Sequence, residues 1–150
     1  MIDIAAPIID GNSIGGISIG QDSRLLLSEL YSNGYMIEEN KFHSDFIEYK
    51  VNEGIISFVI NSSSNNVINI SCKNPYEGSW KNKFTPSMSV QTIIKQSNKT
   101  MVLHGFLIID GIYGVGYNLP NEYDEIDSVD QLPDDLVLEQ IYVMDNDWWK

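Results

Sequence analysis

The segment from Thr100 to Asn118, TMVLHGFLIIDGIYGVGYN, most constrains the fold of this chain. Two apolar runs rich in β-branched and aromatic residues flank Asp110 and Gly111, a dipeptide suited to the positive φ angles of a tight hairpin turn. The first run, Met101 to Ile109, is almost wholly apolar, as expected of a strand covered on both faces. The segment therefore predicts a β-hairpin at the centre of a sheet.

Two further segments have the signals of short helices. In the first, leucines recur on one face after a capping aspartate or serine, and we predict a helix from Asp22 to about Ser32. In the second, Thr85 can cap the free amide groups and the following proline suits the first helical position. We predict this second helix from Pro86 to Ser97.

The segments between and after the helices have the alternation of strands. The predicted strands are Tyr35 to Glu39, Phe46 to Val51, Ile55 to Ile60, Val67 to Lys73 and Leu136 to Met144. A helix followed by strands thus occurs twice, with an offset of about 64 residues, and both internal duplication and chance similarity explain the repeat. We predict an α+β fold with two short helices packed on an antiparallel β-sheet, in one domain spanning residues 1–150. This fold could be arranged as two tandem halves, each made of a helix and an antiparallel meander.

Acidic residues concentrate at the C-terminal end of the chain. The 21 acidic and nine basic residues give a net charge of −12, and residues 121–150 contribute nine of these negative charges. Pro120 and Pro133 bracket an acidic loop, with a helical turn predicted from Ser128 to Leu132. A negative field repels nucleic acid and anionic membranes and attracts basic partners, although acidic surfaces also keep proteins soluble.

The cysteine content and the hydropathy bear on the compartment. Cys72 is the only cysteine, which excludes an intramolecular disulfide and fits a reducing compartment. The sequence has neither a recognisable secretory signal nor an apolar run of membrane-spanning length. These features predict a cytoplasmic protein.

The sequence contains none of the common catalytic motifs, whether phosphate-binding glycine loop, nucleophile elbow or zinc-binding HExxH. His104 lies in a predicted apolar strand, where a structural role is the preferred interpretation. The spacing of Cys72, His104 and Asp110 gives no support to a thiol triad, and the acidic loop does not match a calcium-binding loop. We predict no catalytic residue, no cofactor and no metal. An enzyme or small-ligand binder with a pocket near His104, Tyr113 and Tyr117 is the alternative.

Aromatic residues stand beside acidic ones in the C-terminal region. Aromatic side chains supply interface area at low entropic cost, and carboxylates attract and pair with lysine and arginine. Neighbouring residues of an extended segment point in opposite directions, so one of Trp148 and Trp149 can be core and the other surface. The predicted partner-binding residues are Tyr123, Asp124, Glu125, Asp127, Asp130, Asp134, Asp135, Asp145, Asp147 and Trp148.

A small acidic chain with a GISIG segment before its first helix, an acidic C-terminal half and no catalytic motif resembles bacterial immunity proteins. These belong to the toxin–immunity pairs of contact-dependent and type VI secretion systems. The resemblance implies that the protein binds and neutralises one cognate, basic toxin domain, often a nuclease, and that it binds neither nucleic acid nor membrane. The helix-plus-meander halves also resemble the layout of β-lactamase inhibitor proteins. A scaffold subunit with a broad apolar patch is a third alternative.

Overall fold

The structure is a computed structural model that describes residues 2–150, so Met1 of the predicted domain lies outside the described residues. The helices are α1 (Ser23–Ser32) and α2 (Val90–Gln96). The strands before α2 are β1 (Ser13–Ile14), β2 (Ile17–Ser18), β3 (Ile37–His43), β4 (Phe46–Val51), β5 (Ile56–Asn61), β6 (Val67–Cys72) and β7 (Met88–Ser89). The strands after α2 are β8 (Thr100–Leu103), β9 (Phe106–Ile109), β10 (Ile112–Asn118), β11 (Val137–Leu138) and β12 (Ile141–Met144).

Eight of these strands form one antiparallel sheet in the order β3-β4-β5-β6-β12-β10-β9-β8. The four strands after α1 make up one half of this main sheet, and four strands after α2 make up the other. The halves meet where β6 pairs with β12, with Cys72 opposite Ile141 and Ile70 opposite Val143. The predicted antiparallel α+β fold is confirmed, and the internal duplication stays a prediction.

One face of the main sheet carries the core. Ile70 and Val143, opposite each other at the junction, are fully buried in a cluster that also holds Leu26 and Leu30 of α1 and residues of α2. The α1 helix forms because the Asp22 side chain accepts a hydrogen bond from the Arg24 amide and the two leucines fall on one face. Burying each leucine stabilises the fold by roughly 1.5–3 kcal/mol.

The other face of the main sheet has a mixed composition. The strand register places Lys50, Ser57, Ser71 and Tyr142 side by side across its middle. The ring of Tyr142 contacts that of Phe106 edge to face, at 5.4 Å between centroids. The segment after β12 folds back over this part of the face, which positions the C-terminal tryptophans described below.

The long apolar strand predicted from Met101 to Ile109 is wrong. His104 (φ 49°) and Gly105 (φ 82°) form a two-residue turn that divides the run into β8 and β9. Glycine adopts positive φ without steric cost, and histidine is among the residues that tolerate it. His104 therefore lies exposed in a turn, and not in an apolar strand. The turn predicted at Asp110 and Gly111 is confirmed, with φ angles of 56° and 68°.

Other predicted boundaries are wrong, among them those of the strand predicted from Tyr35 to Glu39, which is Ile37–His43 in the structure. The second helix starts at Val90 and not at Pro86, because Ser87 has a φ of 68° and the Ser89 side chain caps the helix through the Thr92 amide. The predicted strand from Leu136 to Met144 is two strands, since β11 pairs with β7 while β12 enters the main sheet. The helical turn predicted from Ser128 is present as a 3₁₀ turn, Val129–Gln131.

Candidate partner-binding surface

The segment between β10 and β11 contains an ordered acidic loop, residues 121–136. Leu132 is buried in the core and anchors the loop from within. The Gln131 side chain accepts hydrogen bonds from the amides of Asp127 and Ser128, at 2.9 and 3.0 Å. The hydroxyl of Ser128 accepts in turn from the Asp130 amide. These bonds fix the backbone from which the carboxylates project.

The carboxylates of the acidic loop are exposed and lack basic partners. Within residues 2–150, the ion pairs join Asp22 to Arg24, Glu39 to Lys41, His43 to Asp45 and Asp147 to Lys150. None of them involves the acidic loop. The exposed acids of the predicted surface on this loop are Asp124, Glu125, Asp127, Asp130, Asp134 and Asp135. Tyr123, predicted to bind a partner, is half-buried and packs against the core.

The acidic loop follows the β8 side of the main sheet. The side chain of Asp124 lies next to Gly105 in the β8–β9 turn. Asp127 and Asp130 line a groove of about 470 Å³ together with residues of β8 and α2. The carbonyl of Asp134 accepts a hydrogen bond from the Gln91 amide at the start of α2. The loop therefore runs from the β8–β9 turn to the start of the second helix.

The other predicted acids, Asp145 and Asp147, lie on a different segment from the acidic loop. They follow β12, and the Asp145 carboxylate accepts a hydrogen bond from the Asp147 amide. The segment is attached beside Tyr113, near the start of β10, whereas the acidic loop leaves from the end of β10 after Asn118. The structure thus divides the predicted acidic surface into two groups.

The two tryptophans have different environments, although neither is part of the buried core. The indole N–H of Trp148 donates to the Tyr113 carbonyl, and its ring meets Phe106 at 5.3 Å and His104 at 5.9 Å between centroids. Trp149 stacks on the Tyr113 ring at 4.7 Å and is 37% exposed. Trp148 is half-buried, and its ring reaches the β8–β9 turn that Asp124 also borders.

The residues of the alternative pocket do not come together. Tyr117 points into the core, where its hydroxyl donates to the Thr85 carbonyl at 2.7 Å and burial raises its pKa. His104 and Tyr113 lie outside the core and both contact Trp148, His104 through its ring and Tyr113 through its carbonyl. The three side chains therefore form no shared site.

The residues of the thiol triad are separated in the same way. Asp110 lies in the turn at the far end of β9 from His104, and backbone hydrogen bonds from Lys99 and Asn98 lower its pKa. Cys72 is fully buried in β6. Within residues 2–150 no three histidine, cysteine, aspartate or glutamate side chains are grouped as a metal site requires.

Cys72 is expected to resist alkylation in the native protein. Burial raises the pKa of its thiol to about 12, and the thiolate is the reactive form. Mass spectrometry after iodoacetamide treatment at pH 8 should show no labelling without denaturant and complete labelling in urea. Rapid labelling of the native protein would contradict the buried placement.

Sequence reasoning missed the residues that form the groove with the acidic loop, namely Ile94, Met101 and Val102. Ile94 and Met101 are 40% and 38% exposed. The adjacent His104 and Gly105 were the signal that β8 is a short hairpin arm. Other exposed apolar side chains lie in the first half of the chain, at Leu25, Tyr31, Met36 and Phe42.

Comparison with models of protein families, with curated protein sequences and with solved structures found no match to this chain. In the part of the chain that the structure describes, no helix has the length and apolar character needed to span a membrane.

Proposed function

We propose that this protein is an inhibitor of the immunity type, which binds a basic toxin domain and blocks it. The observation that carries the proposal is the acidic loop, in which exposed carboxylates without ion-pair partners project from an ordered backbone. Repulsion among these charges opposes the compact state. A positively charged partner would relieve that repulsion.

The charge and rigidity of the loop suit rapid and specific binding to a protein. Carboxylates on one side of a molecule steer a basic partner into an encounter and raise the association rate. A loop that is already ordered loses less conformational entropy on binding than a flexible one. Tyr123 and Trp148, both half-buried at the edges of this surface, add aromatic area.

The burial of Tyr117 in the core, away from the exposed His104, supports an inhibitor over an enzyme built on His104, Tyr113 and Tyr117. An immunity protein acts in the cytoplasm of the cell it protects, and the unpaired Cys72 fits that reducing compartment. The toxin can be a nuclease, because an acidic surface imitates the phosphates of a nucleic-acid substrate. Neither nucleic acid nor membrane is a partner in this proposal.

The direct test uses a candidate toxin, the C-terminal domain encoded by the gene immediately upstream. Co-expression with this protein should restore the growth of cells that the toxin domain arrests. In surface plasmon resonance, the association rate should fall at least about tenfold between 50 and 500 mM salt, since screening weakens electrostatic steering. Failure to bind, or turnover of a small molecule that disappears with His104→Ala, would refute the proposal.

Sedimentation velocity separates this function from that of a scaffold subunit. The exposed side chains of Leu25, Tyr31, Met36 and Phe42 would drive self-association in a scaffold. An inhibitor with a net charge of −12 should sediment as a monomer of 17.0 kDa when alone and as a complex with the toxin domain.

A further inference from the structure

Strand β8 is an open edge of the main sheet, because it pairs with β9 alone. The Asp110 amide donates to the Lys99 carbonyl over 2.9 Å, which makes Thr100 and Ile109 a non-hydrogen-bonded pair. The N–H and C=O groups of Thr100, and of Val102 two residues further on, therefore point away from β9. Among residues 2–150 these groups have no hydrogen-bond partner.

The opposite edge of the sheet, β3, is protected against strand addition. Its exposed side chains include Glu38, Glu39 and Lys41, and charges on an edge strand discourage pairing with another chain. The residues of β8 are Thr, Met, Val and Leu, none of them charged. The two edges thus differ, and only β8 presents an uncharged strand to a partner.

The groove of about 470 Å³ lies beside this open edge. Its apolar lining includes Ile94 and Met101, and its charged lining residues, within the described part of the chain, are Asp127 and Asp130. A strand added to a sheet lies about 4.8 Å from its neighbour. The side chains of a strand beside β8 would therefore come close to both carboxylates.

We propose that β8 binds an extended segment of the partner, bearing lysine or arginine, as an additional strand of the main sheet. The proposal rests on the proposed function and specifies how the partner is held. Backbone hydrogen bonds to Thr100 and Val102 supply affinity, the apolar groove takes alternate side chains, and Asp127 and Asp130 select a cationic segment.

Charge excludes a second copy of this chain as the occupant. Pairing two β8 strands would bring Asp127 and Asp130 of one copy toward the same residues of the other. Like charges in an interface disfavour the wrong partner. The acidic loop thus protects the uncharged edge against self-association and leaves it open to a basic segment.

A proline at Val102 tests the edge directly. Val102→Pro removes the outward N–H and keeps the bonds between β8 and β9, because Val102 makes none of them. Proline is tolerated on edge strands where its nitrogen faces solvent. The matched control, Val102→Ala, loses the same apolar side chain and keeps the N–H. Should Val102→Pro unfold, Thr100→Pro removes the other outward N–H.

The probe is a phage-displayed library of random 12-residue peptides, selected on the wild-type protein without any toxin. We expect enriched peptides that alternate lysine or arginine with β-branched residues. They should bind wild type and Val102→Ala alike and lose about tenfold or more in affinity with Val102→Pro. The double variant Asp127→Lys with Asp130→Lys should lose more affinity for these peptides than a control with the same change in charge. The control is Asp134→Lys with Asp135→Lys, near the start of α2.

Several results would overturn strand addition. They are the enrichment of no peptide or of acidic peptides, equal affinity for Val102→Pro and Val102→Ala, and equal losses in the two lysine double variants. None of these results bears on the proposed inhibitor function. That function is refuted if the toxin domain does not bind the wild-type protein. If the toxin domain binds Val102→Pro and Val102→Ala with equal affinity, the inhibitor function stands and binding by strand addition is refuted.

Discussion

Reversing two charges of the acidic loop, Asp124→Lys with Asp127→Lys, is expected to weaken binding to the toxin domain about a hundredfold or more. Each reversal replaces an attraction by a repulsion, and about 1.4 kcal/mol for each gives this factor. Both side chains are exposed and without ion-pair partners, so the free energy of unfolding should change by less than about 0.5 kcal/mol. Calorimetric titration measures the affinity, and urea denaturation measures the stability.

The control for this variant is Glu38→Lys with Glu77→Lys, which changes the net charge by the same amount. Both glutamates are exposed and lie away from the acidic loop, one on the far edge strand β3 and one in the connection after β6. We expect its affinity to stay within about threefold of the wild type. Equal losses in the two variants would mean that net charge alone drives binding. Unchanged affinity in the first would mean that the partner binds elsewhere.

Replacing Trp80 by alanine is expected to lower the free energy of unfolding by about 3–5 kcal/mol, as for other large buried aromatic residues. Trp80 is 2% exposed and lies in the connection between the halves. It pairs with Ile8 and Phe84 through isolated bridges, and its indole N–H donates to the Asp10 carboxylate at 3.0 Å. The loss is a large share of the roughly 5–15 kcal/mol that typically stabilises a domain.

A second tryptophan gives the matched control for this stability effect. Trp149→Ala removes the same side chain from a position that is 37% exposed, and should cost less than about 1 kcal/mol. Trp80→Phe keeps most of the volume and loses the hydrogen bond to the Asp10 carboxylate, for a cost of about 1.5–3 kcal/mol. Urea denaturation followed by circular dichroism ranks the three variants. A cost for Trp80→Ala no greater than that for Trp149→Ala would contradict the buried placement of Trp80.

Local signals were enough to predict the class of fold. The α1 helix follows from a capping aspartate and leucines four residues apart, and the β9–β10 hairpin follows from Asp110 and Gly111. Both depend on interactions within about ten residues. The alternation in β4 is of the same kind, because Tyr49 and Val51 are buried in the core and Lys50 between them is not.

The errors in the predicted fold have a different origin. The run from Met101 to Ile109 is apolar except at His104 and Gly105, and these two residues have the positive φ angles of a turn. The segment from Leu136 to Met144 is β-favouring on both sides of Glu139 and Gln140, yet Val137 pairs with Ser89 and Ile141 pairs with Cys72. Which sheet a strand joins depends on residues distant in the chain, so periodicity could not show the division.

The candidate surface could be predicted only in its composition. Acidic loops are solvent-exposed for electrostatic reasons, so the exposure of Asp124 and Asp130 could be expected from the sequence. The position of Asp145 beside β10 could not, because it depends on β12 lying next to β10. The same holds for Val102, whose free N–H becomes visible only when the strand order shows β8 at an edge.

The strand order also affects how the chain is made in the cell. β12 lies between β6 and β10, and both of these strands precede it in the chain. Until residues 141–144 have been synthesised, the edges of β6 and β10 that face β12 remain unpaired and can pair with other strands. If they pair with each other too early, β12 has no place to insert. The yield of native protein therefore depends on keeping these two edges apart during translation.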